Sequence, residues 1–330
     1  MRNSSIELLR ILCIVAIVIM HVLGGYWSTD SVALSGGILA INSVANCAVT
    51  IFVLISGYYG INFSVKKLLG LTNIVWLYTW IAFFVLFICE AVSLNFKEIS
   101  GFLFPIVTGK YWFISVYCFI FCMAPYLNRI KDLLSQKRFL TLLGVLLLFF
   151  YVAPTVTLNE ILHDGGKGIV NLTTIYLIGQ YLSKYGFPKF FNKRVLVKIL
   201  GFIGIIFLLN AIFTAAVGHI YQPFARDNNV LILVLSILIF RYAVAREFTS
   251  VRINRLARYV FPIYILNGYA LRLVPHVNLS PMLTLLCCIG IALGICVAVI
   301  GVEKLRRLMF AGICERVANA GNELFNKYMG

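Results

Sequence analysis

An all-α polytopic membrane protein, with about ten transmembrane helices in one bundle and both termini cytoplasmic, is the fold class this sequence predicts. Three observations predict it. Hydrophobic residues make up 61% of the 330 and charged residues 12%, against roughly half and a quarter in a soluble domain. Ten apolar stretches are each near the length that crosses a hydrocarbon layer of ~30 Å. The basic residues between them fall in alternate loops, the charge pattern that orients a membrane protein.

In chain order the first half gives spans near 6–26, 38–60, 68–92, 110–128 and 138–154, and the second gives 168–184, 196–218, 228–245, 258–275 and 281–302. Charge marks several of their starts: Lys66-Lys67 precede the third, Lys137-Arg138 the fifth and Lys193-Arg194 the seventh. Glycine and proline interrupt others, notably around Pro125 and Pro262. Residues 1–302 thus form the membrane domain. In 303–330, Leu305, Leu308, Met309 and Ile313 recur at helical spacing among basic residues, which predicts an interfacial amphipathic cytoplasmic tail.

Twenty-one of the 28 Lys and Arg residues, Arg2 among them, lie on one side of this arrangement. The other side has Lys97, Lys110, Lys167, Arg226 and Arg272. The first side is therefore cytoplasmic and holds both termini. The formal charge of +16 is explained by this asymmetry, with no nucleic acid as partner. Gly24-Gly25-Tyr26-Trp27 lacks the small-residue pattern of a cleavage site, so the first span is expected to stay in the protein. The nine cysteines lie in or beside apolar spans without Cys/His spacing that suits zinc. They read as buried thiols, and no metal is expected.

The chemistry-bearing feature is Arg10 and His21, eleven positions apart in RILCIVAIVIMH. Eleven helical steps return to within roughly 20° of the starting direction and rise ~16 Å, so both groups share one face. Ionisable groups inside a membrane are costly and mark functional sites by default. Taken singly, Arg10 could snorkel to the interface and His21 could bond a neighbouring helix. Glu7, three residues before Arg10, is placed to pair with it, as a structural bridge or as a support that holds the guanidinium in place. In the second span the small pair Ser56-Gly57 lets another helix or a ligand approach the backbone.

Glu7, Arg10 and His21 in this order and spacing, followed by Phe52-Val53-Leu54-Ile55-Ser56-Gly57-Tyr58, resemble the integral-membrane acyltransferase-3 family. That family includes O-acetyltransferases of bacterial surface polysaccharides. Lys110-Tyr111-Trp112-Phe113 is similar to a further family segment, and Pro262-Ile263-Tyr264-Ile265-Leu266-Asn267 to another that commonly ends in His. Val53 replaces a second Phe, and Gly70 follows Lys66-Lys67 where a further basic residue is common.

The resemblance implies transfer of an acyl group, acetyl by family frequency, from cytoplasmic acyl-CoA to a hydroxyl of a cell-surface or lipid-linked glycan. It implies His21 as the catalytic imidazole, as general base or as acyl carrier, and Arg10, Lys66 and Lys67 as coenzyme contacts. Glu7, Ser56, Gly57, Tyr58 and Trp112 would support them, with Ser56, Tyr58 or Trp112 as donors to the thioester oxyanion. The alternative is a glycan or lipid-linked-sugar translocator without acyl transfer. Arg252, Arg255 and Arg258 read as topology anchors, and Glu160, His163 and Asp164 as a solvated loop. His219, Arg226, Asp227, Arg272 and His276 read as outer-side groups within reach of an acceptor, without an assigned role.

Overall fold

The computed structural model describes residues 3–92, 95–277 and 279–329. Arg2 lies outside the described residues, as do the side chains of Ile313, Cys314 and Lys327. In chain order the helices are α1 (Ser4–Leu23), α2 (Val32–Ala45), α3 (Cys47–Tyr59), α4 (Val65–Ile88), α5 (Phe96–Leu103), α6 (Trp112–Leu133) and α7 (Gln136–Leu147). They continue with α8 (Ala153–Thr157), α9 (Ile169–Tyr185), α10 (Val195–Val217), α11 (Val230–Val244), α12 (Val251–Leu256), α13 (Val260–Leu271) and α14 (Pro281–Met329). No strand occurs among the described residues.

Every expected span coincides with helix. Eight segments among the described residues are long and apolar enough to cross a membrane: Ser4–Tyr26, Val32–Tyr59, Val65–Ile88, Trp112–Leu133, Gln136–Thr157, Val195–Val217, Pro223–Val244 and Pro281–Phe310. The other two expected spans are shorter helices: α9, with 17 residues, is at the lower end of the range that crosses a bilayer, and α13, with 12, follows directly on the helical turn Ala257–Tyr259. Protein covers α9 along nearly its whole length, from Asn171 to Leu182. Its apolar composition serves a core rather than lipid.

Local sequence explains the breaks. Asn46 closes α2 and opens α3, with its amide donating to Asn42 O at 2.8 Å, so Val32–Tyr59 is one kinked span. Pro154 has no N–H to return to the preceding turn, and a π turn at Leu148–Val152 absorbs the misfit between α7 and α8. Pro125 sits inside α6 without ending it. Pro262 falls in the first turn of α13, where an N–H is not needed.

The cysteines also divide. Cys13, Cys47, Cys118, Cys288 and Cys296 are buried as expected, whereas Cys89, in the turn after α4, and Cys122, on α6, are exposed.

Two compact units emerge. The first comprises the chain up to Ile61, Tyr126–Arg258 and His276–Leu293. Within it α3 lies against α9, and Asn128 ties their ends: its Nδ2 donates to Ile61 O at 3.0 Å, and its Oδ1 accepts from Tyr176 Oη at 2.7 Å and Gln180 Nε2 at 2.6 Å. Ile61 N donates in turn to Tyr176 Oη at 3.0 Å. Asn128→Ala removes the shared partner of three groups, each costing about 1–3 kcal/mol if left unsatisfied. A melting temperature of the detergent-solubilised protein well below wild type is expected, with Asn128→Asp intermediate.

The second unit comprises Asn62–Pro125, Tyr259–Pro275 and the chain from Gly294 onward. Tyr111 Oη lies 2.9 Å from Thr79 Oγ1 and donates to Tyr269 Oη at 2.8 Å, joining the start of α6 to α4 and α13. α14 crosses residue 302 without a break, so the expected boundary falls inside one helix. Just beyond it, the buried Glu303 accepts from Tyr78, from Arg306 at 2.6 Å and from Arg307 at 2.5 Å.

Glu98 pairs with Lys110 at 3.3 Å and Arg272 at 3.4 Å. Burial alone would raise the Glu98 carboxyl, but Lys110 and Arg272 outweigh it and hold the carboxyl below its ordinary value. This pairing is complete above the ordinary carboxylate pKa and is lost as pH falls through the lowered value. Proteolysis within 95–111 is therefore expected to accelerate as pH falls below the ordinary carboxylate value of 4.5 in wild type, and to lose that pH dependence in Glu98→Gln.

Candidate functional site

The site grows from α1. Asn3 caps the helix by accepting from Ser5 N at 2.9 Å. Ser4 N donates to Phe248 O at 2.9 Å, and Ser4 Oγ bonds Asn254 Oδ1 at 2.9 Å and accepts from Ser250 N at 2.7 Å. Ser5 Oγ donates to Ala243 O at 2.9 Å. The start of α1 is thus fixed to the end of α11 and to α12, and the register of Glu7, Arg10 and His21 is fixed with it.

Glu7 is buried, and its Oε1 lies 3.8 Å from Arg10 Nη1. The Arg10 side chain keeps 33% of its surface accessible. Its Nε is buried and has no hydrogen-bond acceptor among the described residues. A carboxylate therefore holds the guanidinium from one side and leaves donors to spare, which suits an anionic group such as a phosphate. His21 stands in the last turn of α1 and is exposed.

Contacts with α11 show which residues share an end. Cys47 Sγ, at the start of α3, donates to Ile232 O at 3.8 Å near the start of α11. Tyr58, at the end of α3, meets Phe240 edge-on with ring centres 5.2 Å apart near the end of α11. Ser5 reaches Ala243 at that same end. Helix α1 therefore runs antiparallel to α3 and α11, which places Ser56, Gly57 and Tyr58 at the Arg10 end of the unit. The His21 level is ~16 Å away. Ser56 and Tyr58 are too far along the axis to serve an oxyanion beside His21. Ser56 Oγ donates to Phe52 O at 3.0 Å within its own helix, and Tyr58 packs with Tyr59, Phe187 and Phe240.

Gly57 resolves the question of helix or ligand at the small pair. A Cβ there would come within 2.1 Å of Tyr176 O, so the backbone of α9 occupies that space.

Lys66, Lys67 and Trp112 belong to the second unit. Both lysines are exposed on the first turn of α4, and Lys67 Nζ donates to Asn62 O at 3.4 Å. Cations there oppose the helix dipole, so they do not serve α4 itself. Trp112 opens α6, half-buried and edge-on to Phe113. Asn267 donates to Ile263 O at 3.0 Å in its own helix, a hydrogen-bonding residue where the resemblance would favour His.

Some residues read as loop are built into structure. Glu160 pairs with Arg226 at 2.9 Å and accepts from Gly165 N at 2.8 Å, and Asp164 accepts from Gly166 N at 2.8 Å. Only His163 of that trio is exposed. Beyond His21, Tyr26 and His276 stack at 4.2 Å and 19°. Sequence reasoning left that pair without a role because 250 residues separate its members. Among the described residues no group of three His, Cys, Asp or Glu side chains could hold a metal ion.

An all-α, multi-pass membrane protein whose first helix carries a carboxylate-held arginine near one end and an exposed histidine at the other is the class these observations define. The chain belongs to the acyltransferase-3 family: residues 3–302 match the family described as acyltransferase domain. It is a membrane acyltransferase. No curated protein and no solved structure gives a significant match.

Proposed function

We propose that the protein moves an acetyl group from cytoplasmic acetyl-CoA to a hydroxyl of a cell-surface or lipid-linked glycan, with the start of α1 and both termini facing the cytoplasm. The observation that carries this reading is the division of labour along α1. A guanidinium with a buried, unpartnered donor sits at the cation-rich end, and an exposed imidazole sits ~16 Å away. That span is on the scale of an extended pantetheine arm. Coenzyme phosphates at Arg10 would bring the thioester toward His21.

In the transfer step the acceptor hydroxyl gives its proton to the His21 imidazole as its oxygen bonds to the thioester carbonyl carbon. The carbon–sulfur bond then breaks, and the coenzyme thiolate recovers the proton from the imidazolium. Atoms and charge balance without a further reactant. Lys66 and Lys67 offer exposed ammonium groups to the same class of phosphate-bearing ligand.

The test supplies labelled acetyl-CoA to membranes with and without the protein and follows label into extractable glycan. Protein-dependent labelling is expected, and Arg10→Ala should raise the KM for acetyl-CoA by roughly tenfold or more, the scale of a lost charge-assisted hydrogen bond. Glycan export that depends on the protein with no label transferred would replace this reading with a translocator.

A further inference from the structure

Immediately beyond His21 the first unit contains a cavity of about 570 Å³, within the usual range for ligand sites. Its lining starts at Gly25, four residues after His21. That is one turn further along the same face, ~6 Å on. The other walls come from the turn into α2 and from the segment leading into α14.

The cavity is held in shape from both sides. Tyr26 Oη donates to Val277 O at 3.1 Å and accepts from Val277 N at 2.9 Å, which fastens the end of α1 to the segment before α14. The His276 ring lies over Gly25, close enough that a Cβ there would touch it at 3.7 Å, and stacks on Tyr26. On the other side, Thr29 N donates to Tyr26 O at 3.2 Å, Ser31 N donates to Thr29 Oγ1 at 3.2 Å, and Ser31 caps α2.

The lining chemistry narrows the ligand. Ser28, Thr29 and Ser31 bring hydroxyls, those of Thr29 and Ser31 already accepting from backbone N–H groups, and Asp30 brings an exposed carboxylate, while the buried Thr284 donates its hydroxyl to Leu279 O at 3.2 Å. None of the described lining residues is Lys or Arg, so a phosphate or carboxylate ligand would meet Asp30 with no permanent cation to balance it. Hydroxyl-rich, uncharged molecules fit these groups. A carboxylate accepts from two neighbouring hydroxyls, and the flat His276 ring backed by Tyr26 gives one face for a sugar ring.

We propose that this cavity is the acceptor site and takes an uncharged oligosaccharide, with Asp30 binding a vicinal diol, His276 flanking one ring and a further hydroxyl presented to His21. The assignment rests on the acyltransferase reading above, and it makes the acceptor neutral at the units bound.

The experiment uses the full chain in proteoliposomes, with labelled acetyl-CoA as donor. The acceptors are neutral trisaccharides built from glucose, galactose or N-acetylglucosamine, with trigalacturonate as the anionic counterpart. At least one neutral trisaccharide is expected to accept label, and trigalacturonate to accept at least tenfold less. Asp30→Asn and His276→Ala should each raise the acceptor KM tenfold or more while leaving the KM for acetyl-CoA unchanged, with Asp30→Glu recovering part of the loss.

Equilibrium binding of the best labelled trisaccharide to His21→Ala separates the two claims. This variant should still bind, more weakly by at most the one contact to the imidazole, and adding Asp30→Asn should abolish binding. If transfer proceeds while acceptor KM and binding ignore Asp30 and His276, the cavity assignment is overturned and the acyltransferase reading stands. If binding follows Asp30 and His276 but no acetyl moves, the cavity stands and the acetyl-transfer reading falls. Binding of none of the neutral trisaccharides overturns the cavity assignment.

Discussion

His21→Ala is expected to lower kcat for acetyl transfer by roughly 10²–10⁴-fold, the usual worth of a positioned acid or base, with protein abundance and the KM for acetyl-CoA near wild type. The separation of effects follows from placement. His21 is exposed at the far end of α1, so its removal opens no void in the packed interior. Arg10 and Glu7 lie eleven or more residues back, tied to the end of α11 and to α12 through the start of α1. Coenzyme binding at Arg10 therefore survives the loss of the imidazole. The test is single-turnover transfer with purified protein, alongside equilibrium binding of labelled acetyl-CoA. Full transfer by purified His21→Ala protein would sink the assignment. Loss of coenzyme binding in that variant would place His21 in the donor site instead.

The same helix shows how much of this was legible in sequence. Eleven residues fix both the shared face and the separation of Arg10 and His21, and three residues fix the Glu7 pairing, because helical geometry is local. The ten apolar stretches were legible as helices for the same reason. Whether a stretch meets lipid or protein was not: α9 is as apolar as a short span, yet its burial comes from α3 and α7. Periodicity and hydropathy report a need for burial, not what supplies it. The level of Ser56 and Tyr58 was within reach of arithmetic, since a hairpin from α1 through α2 to α3 must return the chain to the Arg10 end. His276 was legible as an outer-side group within reach of an acceptor, but nothing in the sequence placed it beside Asp30. Their meeting depends on Tyr26 and Val277 exchanging hydrogen bonds across 251 positions, and nothing local in either segment encodes it.

Gly57→Ala is expected to have the largest effect on folding of any single-methyl change considered. A Cβ at Gly57 would lie 2.1 Å from Tyr176 O, and one at Gly179 would lie 2.7 Å from both Leu54 O and Tyr58 N. The obstacles are backbone atoms, so no rotamer change makes room and α3 must part from α9. That movement cannot stay local, because Tyr176 Oη is held by Ile61 N and Asn128, and Gln180 is held by Asn128 one turn on. Overpacking usually costs about 1–3 kcal/mol, and a backbone clash at a helix pair lies at or above the upper end. Gly179→Ala should match Gly57→Ala, since the two glycines face each other across the same contact. Gly70, on α4, has nothing within 4 Å of a built Cβ. There the same substitution should leave the melting temperature unchanged or raise it through helix propensity. Thermal unfolding of the three variants in detergent decides whether Gly57 is present for the contact or for a ligand. If Gly57→Ala melts with wild type yet loses acetyl transfer, the space beside Gly57 admits substrate, and the close approach of α9 is not what the glycine is there to permit.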